Sequence, residues 1–146
     1  MPINIQIKRL RDVPLPAYAT SGSAAMDLCA AIDAPLTLEP HRPVMVPTGI
    51  AIALPSPDCV ALVYARSGLA ARQGVAPVNA VGVIDSDYRG EISVALINHS
   101  DLPVTIDPLQ RIAQLLISPV LTANWQETDE LSQTLRGAGG FGSTGK

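Results

Sequence analysis

Apolar and polar residues alternate along short stretches of this chain, and prolines and glycines separate the stretches. In the first of them, Ile5 and Ile7 share one face of an extended strand. Similar stretches recur about every 8–12 residues with turn-forming residues between them. The strand candidates are 4–10, 25–32, 36–38, 44–54, 59–65, 75–83, 91–98, 104–106 and 111–120. This spacing predicts an all-β domain of the sandwich or barrel kind.

One segment favours a helix. It runs over 67–73, with Ser67 as the N-cap and Gly74 ending it. The pattern weakens after residue 128, and residues 136–146 are rich in glycine. Such a tail is disordered unless contacts hold it, or it is an arm that closes over a ligand. We therefore divide the chain into a β domain, 1–129, and a flexible arm, 130–146.

Composition excludes several classes of protein. At 146 residues, 47% of them hydrophobic, the chain is long enough for one domain with a real core. A net charge of −3 and the lack of a basic stripe argue against a nucleic-acid binder. The apolar runs are too short to cross a bilayer, and the first ten residues lack the apolar core of a signal peptide. We expect no membrane association and a cytoplasmic location.

The cysteines and histidines form no metal-ligand pattern. Cys29 and Cys59 lie far apart in apolar stretches, and His41 and His99 are isolated in the sequence. We interpret the two cysteines as reduced thiols of the core.

Residues 79–94 carry the densest chemistry in the chain. Two strand-like pieces flank a turn, Asp85 to Gly90, that holds two carboxylates, a tyrosine and an arginine. A plain hairpin turn requires only Gly, Asn or Asp at its tip. Since Tyr88 and Arg89 are not turn formers, this loop is a candidate functional site.

Together with this loop, four other stretches carry a resemblance to a known family. In order and spacing, the five resemble the motifs of the trimeric dUTPases (deoxyuridine 5′-triphosphate nucleotidohydrolases). The stretches are 23–30, 65–70, 79–92, 108–114 and 136–145. Ala25 stands where the first motif usually has glycine, a departure from which we expect little loss because Asp27 is present.

The resemblance implies a fold, an assembly and a reaction. The fold would be a distorted jelly roll of the β-clip type. The assembly would be a homotrimer with active sites shared between subunits. The reaction would be hydrolysis of dUTP to dUMP and pyrophosphate with Mg²⁺ as cofactor, which lowers dUTP and supplies dUMP for thymidylate synthesis.

The third motif would hold the deoxyuridine. By resemblance, Asp85 accepts a proton from the attacking water, and Tyr88 lies under the deoxyribose and leaves no room for a 2′-hydroxyl. The residues implied for this subsite are Asn79, Gly82, Val83, Ile84, Tyr88 and Phe141 of the arm. The alternative for Asp85 is a residue that caps the turn through its side chain.

Other motifs would bind the phosphates. The residues implied are Arg66, Ser67, Gly68, Gln114, Arg136, Ser143 and Thr144. Ser67 is equally consistent with an ordinary helix cap, and Gln114 with a strand-surface side chain. We interpret Arg111 as an ion-pair partner that fixes the site.

Asp27 lies in an apolar strand candidate, where an unpaired carboxylate is costly. By resemblance it reaches waters around a Mg²⁺ ion that the substrate phosphates hold, because this ion keeps several waters and few protein ligands. The alternative is a salt-bridged structural aspartate.

Two rivals share the fold. A dCTP deaminase would place a catalytic glutamate in the strand after the hairpin, where this chain has Val94, Ala95 and Leu96. A non-catalytic nucleotide-binding regulator would need no water-activating carboxylate, whereas this chain has Asp85.

Overall fold

The structure is a computed structural model, and it describes residues 2–142. Within that range the chain forms short strands and one helix, which confirms the all-β prediction. The elements are β1 Gln6–Arg9, β2 Met26–Cys29, β3 Leu36–Leu38, β4 Val44–Pro47, β5 Ile50–Ala53, β6 Cys59–Ala65, α1 Ser67–Gln73, β7 Val75–Pro77, β8 Gly82–Ile84, β9 Ser93–Asn98, β10 Val104–Ile106 and β11 Arg111–Pro119.

All pairings between these strands are antiparallel. The largest sheet has the order β2-β11-β6-β8, a second has the order β4-β9-β7, and β1-β5 and β10-β3 form two-stranded pairs. β11 lies between β2 and β6, and its Gln114 faces Asp27 on one side and Tyr64 on the other. The largest sheet therefore brings residues of the first and fourth motifs together.

The core follows the strand alternation. Along β9, Val94, Leu96 and Asn98 are buried while their neighbours are only partly covered. Successive side chains of a strand point to opposite faces, so this alternation places one face in the core. Asn98 is satisfied there because its Nδ2 donates to the carbonyls of Leu38 and Leu102.

Two predicted strands are each divided by a turn. The stretch 44–54 breaks after Pro47, because Gly49 adopts a left-handed conformation (φ 72°) and the Thr48 hydroxyl donates to the Ile92 carbonyl. The stretch 75–83 breaks at Ala80, which also has a positive φ of 62°. The prediction of continuous strands was wrong at both places.

The cap of the helix lies one residue earlier than the sequence indicates. Arg66 is the N-cap, with extended backbone angles, and its carbonyl accepts the N–H of Ala70 at 2.9 Å. Ser67 is therefore the first helical residue, and the prediction of Ser67 as N-cap was wrong. Gly74 ends the helix in the left-handed conformation, as predicted.

Gly49 is crowded as well as left-handed. A Cβ at this position would lie 3.0 Å from both Ala31 Cβ and Val13 Cγ1. We expect Gly49→Ala to lower the free energy of unfolding by about 2–4 kcal/mol, since it adds left-handed strain to overpacking. Urea denaturation measures this loss. Gly22→Ala is the control because a Cβ there meets nothing within 4 Å, and an equal loss in both variants would contradict the explanation.

The structure also bears on the cysteines, on membrane-spanning helices and on the residues after β11. Cys29 and Cys59 are free thiols, as predicted, and Cys59 belongs to the core; Cys29 is only partly buried, so its placement in the core was wrong. In the described part of the chain, no helix has the length and apolar character needed to span a membrane. After β11, residues 120–142 form no regular element, and Trp125 is 92% exposed.

Candidate active site

The turn after β8 borders a cavity of about 370 Å³. Its lining includes Asn79, Val83, Asp85 and Tyr88, side chains that the third motif places close together in the chain. Such a volume lies in the range of small-molecule sites. The structure therefore gathers the residues predicted for deoxyuridine, except Phe141, around one concave surface.

β8 approaches β6 closely because Gly82 has no side chain. A Cβ on Gly82 would lie 3.1 Å from the Cβ of Val63 on the neighbouring strand. The main chain of β8 is thus held against β6 of the core sheet, and residues 82–84 border the cavity. Gly82 serves close packing here, since its φ is not in the left-handed region.

The carboxylate of Asp85 is exposed and accepts no hydrogen bond from residues 2–142. The turn is closed instead by the Asp85 carbonyl, which accepts the N–H of Tyr88 at 3.2 Å. Arg89 adds to the closure by donating to the carbonyls of Ser86 and Tyr88 at 2.7 and 2.9 Å. The Asp85 side chain is therefore not used to cap the turn.

A second cluster surrounds Asp27. Its Oδ1 accepts Arg66 Nε at 2.7 Å, and its Oδ2 accepts Arg111 Nη1 at 3.0 Å. The Asp27 side chain is 26% exposed, so both pairs are partly shielded from water. Arg111 is an ion-pair partner, as predicted, and Asp27 has the salt bridges that its alternative interpretation requires.

Cys29 lies beside this cluster on β2. Burial raises the pKa of the Cys29 thiol, the Asp27 carboxylate raises that pKa further, and Arg111 and Arg66 lower it. Because the net shift is upward, the thiol is protonated at neutral pH and is a poor nucleophile. The strand alternation places Cys29 on the same face as Asp27, two residues away, but nothing in the residue pattern indicates the two arginines.

Gln114 borders a different cavity, of about 660 Å³, together with Asp27 and Tyr64. Gln114 Nε2 donates to the Ala65 carbonyl at 2.8 Å, which holds the side chain beside the residue that precedes Arg66. Ser67 and Gly68 follow on the exposed first turn of α1. This cavity and the one at the hairpin share no lining residue.

The arm residues are not brought to either cavity within one chain. Phe141 is fully exposed, and Arg136 Nε donates to the nearby Gly139 carbonyl at 2.9 Å. Ser143 and Thr144 lie outside the described residues.

The family model described as dUTPase matches residues 11–145 of this chain. The chain belongs to the dUTPase family. A curated relative from Paraburkholderia phymatum, named deoxyuridine 5'-triphosphate nucleotidohydrolase, is 49% identical over 144 residues, which cover 99% of this chain and 97% of the relative.

Solved dUTPase structures share the fold. A mutant of Staphylococcus bacteriophage 80alpha dUTPase with dUpNHpp superposes with a TM-score of 0.84 at 24% identity, covering 98% of this chain and 99% of that one. A mutant dUTPase from phage phi11 of S. aureus, a structure concerned with coordination of a structural Mg(II) ion, gives 0.80 at 20% identity, with 90% and 100% coverage. The jelly-roll-like fold of dUTPases is thereby confirmed.

A dUTPase site is expected to hold magnesium. The side chains available in this chain indicate whether the ion would be bound directly or through water. Among residues 2–142 no group of three or more His, Cys, Asp or Glu side chains is placed to bind a metal. Each carboxylate oxygen of Asp27 accepts one hydrogen bond from an arginine. A carboxylate has about four acceptor lone pairs, so further hydrogen bonds can be accepted. The remaining sites fit hydrogen bonds from the water shell of Mg²⁺, whereas direct ligation would compete with two arginines.

The sequence analysis did not single out one residue that borders the hairpin cavity. Glu91 borders the hairpin cavity, and its Oε1 accepts the N–H of Gly49 at 2.9 Å from 42 positions away. A signal was available, because Glu91 is the only charged residue in the strand candidate 91–98. Its partner is set by tertiary structure and has no local sequence signature.

Proposed function

We propose that this dUTPase hydrolyses dUTP to dUMP and pyrophosphate with Asp85 as the general base. The observation that carries the assignment is the exposed Asp85 carboxylate, which borders the hairpin cavity and has no partner among the described residues. Asp85 takes a proton from water as the oxygen forms a bond to the α-phosphorus. The bond from that phosphorus to the α–β bridging oxygen breaks, and pyrophosphate leaves with the bonding electrons.

The hairpin selects the nucleoside. Uracil pairs with backbone groups of residues 82–84 and with Asn79, where a 5-methyl group has no space. Tyr88 lies under the sugar and excludes a 2′-hydroxyl by contact. The cavity that Asn79, Val83 and Tyr88 share supports this arrangement.

Arg66, Ser67, Gly68 and Gln114 bind the phosphates. Asp27 holds Arg66 through Nε, which leaves the two terminal nitrogens of the guanidinium largely available; one makes a contact of 3.5 Å to the Arg111 carbonyl. Donors fixed in place stabilise the charge that develops on the phosphates without having to reorganise.

Asp27 would hold Mg²⁺ indirectly, by accepting hydrogen bonds from water molecules of its hydration shell, and the ion, bound to the substrate phosphates, would neutralise part of their charge. The free carboxylate lone-pair sites of Asp27 support this outer role. The ion pairs with Arg66 and Arg111 hold that carboxylate in place.

The enzyme is a cytoplasmic homotrimer whose sites are shared between subunits. The separation of the hairpin cavity from the cavity at Asp27 and Gln114 supports a site completed by a second subunit. The arm of residues 130–146 closes over the substrate. Phe141 stacks on uracil, Arg136 meets the γ-phosphate, and Ser143 and Thr144 wrap the phosphates.

A deaminase activity is disfavoured by one position in the hairpin cavity. Ala95, in the strand after the hairpin, lines that cavity where a deaminase would require a glutamate nearby. A methyl group neither accepts nor donates a proton, so this position does not supply the acid–base group that a deaminase has there.

The test is incubation with Mg²⁺ and, separately, dUTP, dCTP, dTTP and UTP. We expect pyrophosphate from dUTP, with kcat/KM at least about 10²-fold lower for the other three, because each adds or changes a group that the hairpin has no room for or cannot pair with. Release of deoxyuridine triphosphate from dCTP would favour the deaminase. Binding of dUTP without turnover would favour a regulator, and either result would contradict the proposal.

A further inference from the structure

Glu91 contacts two different parts of the molecule. Its carboxylate oxygen Oε1 accepts the backbone N–H of Gly49 at 2.9 Å, and its main-chain carbonyl accepts the hydroxyl of Tyr88 at 3.0 Å. One residue thereby links the turn between β4 and β5 to the aromatic ring of the nucleoside hairpin. The side chain is only partly buried, yet its partner lies in a crowded turn, where a Cβ on Gly49 would lie 3.0 Å from Ala31 Cβ and from Val13 Cγ1.

The Gly49 end of this link is rigid. Gly49 packs against Val13 and Ala31 and follows Thr48, which is buried and bonded to the Ile92 carbonyl through both its N–H and its hydroxyl. Ile92 in turn donates its N–H to the Ile50 carbonyl at 2.9 Å. The Glu91 carboxylate is therefore attached to a point that the core holds fixed.

The Tyr88 end has few other restraints. Tyr88 is 46% exposed, and its ring lies over Gly90, where a Cβ would overlap the phenol. The absence of a side chain at Gly90 makes room for the ring, and the hydroxyl's bond to the Glu91 carbonyl fixes its direction. In the described part of the chain this is the only hydrogen bond of the Tyr88 side chain.

We propose that Glu91 is a positioning residue that holds Tyr88 and thereby sets the preference for deoxyribose over ribose. This inference rests on the proposed function, in which Tyr88 contacts the sugar. Exclusion by contact requires that the excluding ring cannot move aside. A ring free to tilt gives space to a 2′-hydroxyl, so loosening Glu91 admits UTP more than it harms dUTP.

A purely structural role for Glu91 makes a different prediction. Loss of the bond to Gly49 would then lower thermal stability and reduce turnover of both nucleotides by the same factor. The ratio of kcat/KM for dUTP to that for UTP separates the two roles. This ratio does not depend on the fraction of enzyme that is folded, but under the proposal it does depend on how firmly Tyr88 is held.

The experiment measures this ratio in the full chain and in four variants, with Mg²⁺ and well below the melting temperature. We expect Glu91→Ala to lower the ratio about tenfold, mainly through faster use of UTP, since one anchoring hydrogen bond is lost. Glu91→Gln keeps an oxygen that accepts the Gly49 N–H and should stay within about threefold of the parent. Asp87→Ala is the matched control, because it removes a neighbouring exposed carboxylate that has no hydrogen bond within residues 2–142.

Tyr88→Phe tests the other end of the link without touching Glu91 or Gly49. It removes the bond to the Glu91 carbonyl, so the ratio should fall in the same direction even if Glu91→Ala folds poorly. An unchanged ratio in Tyr88→Phe, or in a folded Glu91→Ala, would overturn the inference while dUTP hydrolysis by the parent chain leaves the proposed function intact. A parent chain that hydrolyses no dUTP would overturn both.

Discussion

Asp85→Asn is expected to lower kcat for dUTP by about 10²–10⁴-fold and to leave the affinity for dUTP nearly unchanged. Asparagine keeps the size of the side chain and its ability to accept a hydrogen bond from water. It does not take up the proton that must leave as the water oxygen attacks phosphorus. The fold should not respond, because the Asp85 carboxylate accepts no hydrogen bond from the described residues.

Single-turnover kinetics and equilibrium binding of a non-hydrolysable dUTP analogue separate the two effects. Asp87→Asn is the matched control, since this carboxylate also lies exposed on the turn and is assigned no part in the reaction. It should retain kcat within about threefold, as ordinary surface substitutions change little. Normal turnover by Asp85→Asn would remove Asp85 from the role of base, and an equal loss in both variants would point to disruption of the turn.

Much of the fold was accessible from the sequence because local patterns determine it. The alternation along β9 places Val94 and Leu96 in the core, and the stretch 91–98 predicts this strand to within two residues. Most residues around the hairpin cavity lie between 77 and 95, so their grouping needs little tertiary information; Met45 and Val63 are the exceptions. Asn79, Asp85 and Tyr88 come together for this reason.

The errors arise where tertiary contacts decide the local structure. The apolar pattern of residues 44–54 runs through Gly49, and the turn there depends on tertiary contacts, namely the packing of Val13 and Ala31 against that glycine and the bond from Thr48 to the Ile92 carbonyl. Ser67 is a better capping residue than Arg66 by side-chain chemistry, yet the backbone begins the helix after Arg66.

Contacts between residues far apart in the chain could not be predicted either, because they depend on how the strands pair. The ion pairs of Asp27 with Arg66 and Arg111 depend on the register of β2, β11 and β6, which brings together residues 39 and 84 positions apart. Neither the alternation nor the turn signals specify that register. The two roles considered for Asp27, salt-bridged and water-mediated, are compatible because the carboxylate has enough lone pairs for both.

Removing residues 130–146 is expected to lower kcat/KM for dUTP by about 10²-fold or more, because the arm excludes water and positions the triphosphate. Thermal stability should change little. The described arm residues are largely exposed, and their hydrogen bonds are local, such as Gly137 to Thr134 and Arg136 to Gly139. Steady-state kinetics and a thermal melt of the same sample give both quantities.

Two single substitutions show whether the arm acts through its aromatic residue. Phe141 and Leu135 are both fully exposed on the arm, but only Phe141 is proposed to stack on uracil. Phe141→Ala should lose about tenfold or more in kcat/KM, since stacking on a base is worth ~1–3 kcal/mol, and Leu135→Ala should lose little.

A truncated chain with full activity would contradict closure by the arm. Equal losses in the two substitutions would show that Phe141 has no special place in it. If closure holds, the exposed arm is a part of the active site that one chain does not assemble alone, because neither the hairpin cavity nor the cavity at Asp27 and Gln114 includes any of its described residues.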